Sequence, residues 1–224
     1  MSRIAKAAEK AGRSPASIRL VAVSKTVPIE KIIEARDAGA ELFGENRVQE
    51  ALEKIDHLGQ PDQGGPEWHF IGHLQKNKVK QIVGRFGLIH SVDSTALAQV
   101  INEKSLAGNL ITSVLIQVNV SGEASKFGMA PDELESALRA VSGMSAVKVE
   151  GLMTIPPYAP DPEKSREVFV RLRGLRDKMA ELGMEGICMN ELSMGMSNDF
   201  TVAVEEGATL VRVGSAIFGD RPAG

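Results

Sequence analysis

Arg19-Leu20-Val21-Ala22-Val23-Ser24-Lys25-Thr26-Val27-Pro28 is the stretch on which the fold turns. Its first half is rich in apolar and β-branched residues and predicts a buried strand over 19–24. Pro28 suits the first turn of a helix. Ile29, Ile32, Ile33 and Ala35 then recur at helical spacing until Gly39 stops the pattern. The unit is strand, short turn, helix. Its turn holds no glycine, unlike the Gly-x-Gly-x-x-Gly turn that opens many doubly wound sheets.

The same alternation continues along the chain. Strands are predicted at 19–24, 41–44, 68–72, 88–92, 113–120, 147–153, 191–194 and 209–213. Helical patterns fill the gaps: an Ala/Lys/Glu-rich opening to Ala11, then 28–38, a start signal at Pro131-Asp132-Glu133-Leu134, 162–182 before Gly183, and 198–206 before Gly207. Strand–helix units without a second strand-rich block predict one (β/α)8 barrel, a TIM barrel, as a single domain over 1–224. An open doubly wound sheet is the competitor and usually has fewer strands. Residues 60–66 (QPDQGGP) read as a surface loop.

Composition narrows the partners. The net charge of -3 argues against a general nucleic-acid or anionic-membrane binder, which usually carries a basic excess. Cys188 is the one cysteine, so no intrachain disulfide can form, as suits a reducing compartment. No apolar run approaches the ~18 residues of a membrane span. Met1-Ser2-Arg3-Ile4-Ala5-Lys6 lacks the apolar core of a secretory signal, so a cytoplasmic protein is expected. No large apolar surface is evident, and a monomer is expected.

In such a barrel the chemistry gathers at the C-terminal ends of the strands. That rule places Lys25 after the first strand, Glu45 and Asn46 after the second, His73 after the third and Asp93 after the fourth. Asn119 and Ser121 end the fifth, and Met153 and Thr154 the sixth. Ser193, Met194, Gly195 and Ser197 follow the seventh, and Arg212, Gly214 and Ser215 end the eighth. Val21, Ala22, Val23 and Ser24 lead straight into Lys25, so its amine is partly desolvated over the barrel mouth. Desolvation makes an amine a better nucleophile toward aldehydes. The plainer reading is a strand-end lysine that snorkels to solvent.

The turns Ser193-Met194-Gly195-Met196-Ser197-Asn198 and Val213-Gly214-Ser215-Ala216 lie where this fold commonly binds phosphate. Glycine allows close approach, serine offers hydroxyls, and helix N-termini offer free N–H groups. Ordinary helix capping is the alternative. Arg212, inside the apolar run Leu210-Val211-Arg212-Val213, needs a partner, either an ion pair or a ligand. An amine for an aldehyde, turns for a phosphate and an arginine for a ring nitrogen together match pyridoxal 5′-phosphate (PLP). An arginine donor would keep the pyridine nitrogen unprotonated and weaken the ring as an electron sink.

Other residues carry less. His69 and His73 share a strand face but lie far apart, with no third ligand, so no metal site is expected. His69 is read as structural, His73 as a supporting group and His57 as surface. Asn119-Val120-Ser121 matches a glycosylation acceptor but falls on a predicted core strand. Lys76, Lys78, Lys80 and Lys126 are solvated lysines or a small patch that could hold a second cofactor molecule.

At this point the chain resembles a known family, the pyridoxal phosphate homeostasis proteins. The resemblance rests on 21–25 (VAVSK), 43–50 (FGENRVQE), 68–78 (WHFIGHLQKNK), 151–155 (GLMTI), 192–197 (LSMGMS) and 211–219 (VRVGSAIFG). It implies a barrel like the N-terminal domain of alanine racemase, with PLP as a Schiff base on Lys25. It places Arg212 near the pyridine nitrogen, Asn46 beside the ring, and Ser193, Ser197, Gly214 and Ser215 around the phosphate, with Met194 and Gly195 in the same turn. It also implies a role in vitamin B6 and amino-acid homeostasis, with PLP-requiring apoenzymes as recipients and no strong catalysis. The opening helix is shorter than such proteins usually carry, which raises the question of how it packs.

An amino-acid racemase is the competing reading. Two-base racemisation needs a proton donor and acceptor on opposite faces of the ring. The one tyrosine, Tyr158, lies in Pro156-Pro157-Tyr158-Ala159-Pro160 after the sixth strand, with nothing to position it as that base. A phosphosugar enzyme, which would use the same phosphate turns, is a third reading.

Overall fold

The computed structural model describes residues 2–123 and 125–219. Parallel strands close into a barrel in chain order, β1-β2-β3-β4-β5-β6-β7-β8, with β8 returning to β1. They are β1 (Arg19–Val23), β2 (Leu42–Glu45), β3 (Glu67–Phe70), β4 (Leu88–Val92), β5 (Thr112–Gln117), β6 (Val147–Met153), β7 (Ile187–Ser193) and β8 (Leu210–Val213). The helices are α1 (Ser2–Lys10), α2 (Ile29–Asp37), α3 (Val48–Leu58), α4 (Val79–Ile82), α5 (Thr95–Ala107), α6 (Leu134–Ser142), α7 (Arg166–Ala180), α8 (Phe200–Glu205) and α9 (Ser215–Phe218). The expected (β/α)8 barrel is the fold.

Two strands depart from their predicted bounds by three or more residues, for local reasons. β7 starts at Ile187 rather than 191, because Asn190 and Glu191 interrupt the apolar run while Met189 and Leu192 remain buried. β5 ends at Gln117 rather than 120. There the Asn119 side chain turns into its own loop: its Nδ2 donates to the Glu123 carbonyl (2.9 Å), and its Oδ1 accepts from the Gly122 N–H (3.1 Å) and the Ser121 hydroxyl (3.2 Å). Asn119 and Ser121 thus shape a loop instead of facing the mouth.

Strand periodicity divides each strand between two cores. Val21, Leu42, Leu88, Leu115, Met153 and Leu210 form one cluster inside the barrel. Phe43, Trp68, Phe70, Ile89, Leu152 and Leu192 belong to the larger cluster that joins strands to helices. The opening helix is docked despite its length. Ile4, Ala7 and Ala8 are buried, Lys10 pairs with Glu205 (2.7 Å), and Arg3 lies 4.6 Å over the Phe200 ring, so α1 packs on α8. Residues 60–66 form a surface turn around Pro61–Gln63. Among the described residues no helix is long and apolar enough to cross a membrane.

Candidate functional site

Lys25 sits on a turn closed by the Val27 N–H donating to the Ser24 carbonyl (2.9 Å). The next residue, Thr26, has φ 61°. A β-branched residue in the left-handed region costs on the order of 1–2 kcal/mol, so the surroundings must impose it. They do so with charge. Lys54 Nζ donates to the Ser24 carbonyl (2.7 Å), Glu45 Oε1 (2.8 Å) and Glu50 Oε1 (2.6 Å). The Ser24 hydroxyl donates to Glu45 Oε1 (2.6 Å), and Glu50 accepts the Thr26 N–H. Lys54 is 4% exposed and Glu45 fully buried; burial pushes the Glu45 carboxyl above its usual range, opposed by its bonds to Lys54 and Ser24.

The sequence reading missed Lys54. A signal was present: Ala51, Lys54, Ile55 and Leu58 fall on one helical stripe, so Lys54 occupies an apolar position of α3. Asn46, directly after β2, is half-buried, and its Oδ1 is buried with no hydrogen-bond partner among the described residues. The mouth is tight here. A Cβ on Gly72 would come within 2.1 Å of the Asn46 carbonyl oxygen, so only glycine lets the loops after β2 and β3 meet.

Across the mouth, Lys25, Thr26, Lys31, Gly214, Ser215 and Phe218 line part of a cavity of about 150 Å³. Ser197 joins that wall by accepting the Gly214 N–H (3.3 Å). Ser215 is exposed at the start of α9. α8 and α9 are short, so what they offer an anion is individual N–H groups more than a macrodipole.

Ser193 and Met194 stand elsewhere than expected. Ser193 is fully buried, and its Oγ lies 2.8 Å from His90 Nδ1 and accepts from Arg212 Nη1 (2.5 Å). It faces the barrel interior because strand periodicity carries it inward at the end of β7. Its hydroxyl is engaged by Arg212 and His90, away from the turn that Ser197 and Gly214 form. Met194 is one residue on and therefore outside. Its side chain is in the strand–helix core, and its N–H is taken by the Leu210 carbonyl (3.1 Å). Gly195 has φ 91°, and a Cβ there would meet Ala203 at 2.5 Å, so it lets the turn cross α8.

Arg212 is 4% exposed, on the β8 position level with Val21. Its Nη2 donates to the Thr154 carbonyl (2.9 Å). Burial pushes its pKa down to about 10, which leaves it a cation at neutral pH. Among the described residues no carboxylate lies within ion-pair distance of it. The interior continues below. His90 Nε2 is 2.9 Å from His69 Nδ1, and His69 Nε2 is 2.8 Å from Glu67 Oε1. His69 is buried and makes no contact at the mouth. His90 was missed because Ser193, the partner that links it to Arg212, comes from β7, a strand distant in sequence.

His73 lies beyond the end of β3, pairs with Asp93 (3.3 Å) and stacks on Phe127 (centroids 3.9 Å, 16°). Lys126 is half-buried in the loop after β5, while Lys76 and Lys80 are exposed. Tyr158 is 80% exposed. Among the described residues no group of His, Cys, Asp or Glu is arranged to hold a metal.

A lysine on a clamped rim turn, above a buried arginine and across from Gly214 and Ser215, sets this barrel in the alanine racemase class. Residues 2–222 match the family described as alanine racemase, N-terminal domain. The chain is 48% identical over 222 residues to the pyridoxal phosphate homeostasis protein of Aquifex aeolicus, covering 99% of this chain and 95% of that one. It is 44% identical over 223 residues to the protein of the same description from Pseudomonas aeruginosa (100% and 93% covered). The chain belongs to the pyridoxal phosphate homeostasis protein family. Among solved structures, PipY of Synechococcus elongatus with PLP bound superposes with a TM-score of 0.83 at 36% identity, covering 96% of this chain and 100% of that one. Alanine racemase of Corynebacterium glutamicum (TM-score 0.70, 21% identity, 99% and 61% covered) shares the fold.

Proposed function

We propose that this chain is a cytoplasmic, monomeric PLP carrier that holds the cofactor as a Schiff base on Lys25. On this reading it serves intracellular vitamin B6 and amino-acid homeostasis, passing PLP to PLP-requiring apoenzymes without strong catalysis of its own. The observation that carries the reading is the Lys25 turn, strained at Thr26 and clamped by Lys54, Glu45 and Glu50 across one cavity from Gly214 and Ser215. The residues fit the cofactor's chemistry. Lys25 supplies the amine. The N–H groups and hydroxyls at Ser197, Gly214 and Ser215 suit a phosphate. Arg212 would supply a donor to the ring nitrogen, and the buried, unpartnered Asn46 Oδ1 would supply an acceptor that needs a donor. Bound PLP supplies an aldehyde that condenses with the lysine and a ring able to accept electrons.

The chain's own residues favour holding over turnover. Arg212 stays cationic and donor-only, which disfavours a protonated ring nitrogen. Tyr158 is too exposed to serve as a positioned base opposite Lys25. Adding PLP should produce an absorbance band near the visible that is lost in Lys25→Ala, and borohydride reduction should fix the mass on the Lys25 peptide. A band that survives Lys25→Ala sinks the assignment, and no band at all would favour the phosphosugar reading. Incubation with L- and D-amino acids separates carrier from racemase: turnover above free PLP, lost in Lys25→Ala, decides for the enzyme.

A further inference from the structure

The barrel interior below Arg212 is more polar than a packed barrel core requires. His90 is fully buried and His69 nearly so, where branched apolar side chains usually stack. Their rings face each other at 5.0 Å and 55°. Glu67 opens β3 and so lies at the opposite end of the barrel from Lys25, beside a floor cavity of about 260 Å³ that Arg19, His69, Glu150 and Glu191 also line. Arg19 pairs with Glu67 there (2.5 Å).

We propose that His69 and His90 are positioning residues: with Ser193 they carry a one-directional hydrogen-bond wire from the Glu67 carboxylate on the floor to the Arg212 guanidinium under the mouth. The two ends dictate its direction. An ionised carboxylate only accepts, and a guanidinium only donates. His69 Nε2 therefore bears the proton given to Glu67, which leaves Nδ1 as a lone pair. His90 Nε2 must then donate to it, which leaves His90 Nδ1 to accept from the Ser193 hydroxyl. Ser193 in turn accepts from Arg212. In the reverse order Ser193 accepts twice, and the chain ends with a His69 lone pair facing the Glu67 carboxylate at 2.8 Å.

Burial supports the neutral form of both rings. Desolvation holds His90 well below the usual histidine range and lowers His69, whereas the bond from His69 holds Glu67 down as a carboxylate. A buried cation without a carboxylate partner is costly. Asp199, beyond ion-pair distance, offsets part of that cost by its charge, and the wire adds to it by ending the donor chain of Arg212 on Glu67; polarised chains of this kind strengthen each bond. The donors that Arg212 keeps for a ligand are thereby fixed from the far end of the barrel. The ligand-side consequence rests on the PLP reading; the wire itself does not.

Long-range 15N–1H spectra of the ligand-free, full chain test the wire directly. His69 and His90 should both be neutral with the proton on Nε2 across about pH 6 to 8. A proton on Nδ1 of either ring, or an imidazolium in that range, overturns the proposal. Its reach is tested with Glu67→Gln, which alters only the floor. The His90 ring resonances should move, and bound PLP should dissociate about fivefold faster. A folded Glu67→Gln with unchanged His90 resonances overturns it equally. A chain that shows the Nε2 tautomers but binds no PLP removes the carrier reading and leaves the wire standing.

Discussion

Two basic side chains meet the mouth of this barrel, and they are held by opposite means. The turn that carries Lys25 is gripped from outside the barrel by a dense cluster of charge, Lys54 with Glu45 and Glu50. Arg212 is held from inside by neutral groups, the Ser193 hydroxyl and the Thr154 carbonyl, with two imidazoles behind them. The difference follows from the backbone. Lys25 sits on a turn whose next residue adopts a disfavoured φ, so strong charge-assisted bonds are needed to impose that shape. Arg212 sits in a strand whose backbone is already fixed by its neighbours, so only the side chain needs orienting.

The comparison breaks most visibly at Lys54. Lys54→Met should lose about 3–5 kcal/mol of stability, because it leaves Glu45 buried without its cation. Urea denaturation reads this. Adding Glu45→Gln should return part of the loss, since a neutral amide needs no counter-charge; the two changes should be non-additive by about 0.5–3 kcal/mol. Strict additivity would mean that the pair is not coupled. The inner region should break more gently. Ser193→Ala removes one acceptor from Arg212 and one donor from His90, for a loss of about 1–3 kcal/mol. Its bound PLP should also leave faster than from the parent chain, and equal release rates would show that Arg212 is held without Ser193.

Acid separates the two regions by sign. His69 and His90 are lowered in the folded chain but take protons near pH 6.5 when unfolded. Below that value the unfolded chain binds more protons, so stability falls as pH falls, by about 1.4 kcal/mol per pH unit for each proton. Glu45 works the other way. Its folded pKa is raised, so above the unfolded value of about 4.3 the folded chain holds the extra proton and stability falls as pH rises through the folded pKa. His90→Phe should therefore flatten the acid limb between about pH 5 and 6.5 by up to one proton. An unchanged slope would show that His90 is not the neutral group the interior requires.

Much of this was legible in the chain, for reasons that also mark where reading stops. β4 and β6 take the bounds expected of them, 88–92 and 147–153, because apolar residues open and close each run even though Ser91 and Gly151 lie inside. Lys25 and Arg212 stood out because each interrupts an apolar run. Ser193 was placed by its turn, yet the alternation of β7 decides its direction, and polar Asn190 and Glu191 hid where that strand begins. His90 could not be linked to Ser193 from sequence. Those residues stand 103 positions apart and meet across the barrel, so only closure brings them together. Lys54 was hidden differently: its helix stripe was readable, but a lysine on such a stripe usually snorkels, and its buried partners come from β2 and the Lys25 turn.

The smallest expected effect is the one that sharpens the comparison most. Thr26→Gly removes a Cβ from a residue at φ 61° and should relieve on the order of 1 kcal/mol of strain. It also loosens the unfolded chain, which offsets about 0.4–1 kcal/mol. Stability should therefore change by less than about 1 kcal/mol in either direction. If the charged cluster alone holds the turn, PLP should bind Thr26→Gly as it binds the parent. If the turn needs threonine's restricted backbone as well, the glycine variant should keep its stability but release PLP faster. Stability and release rate measured on the same variant distinguish a turn held only by Lys54, Glu45 and Glu50 from one that also holds itself.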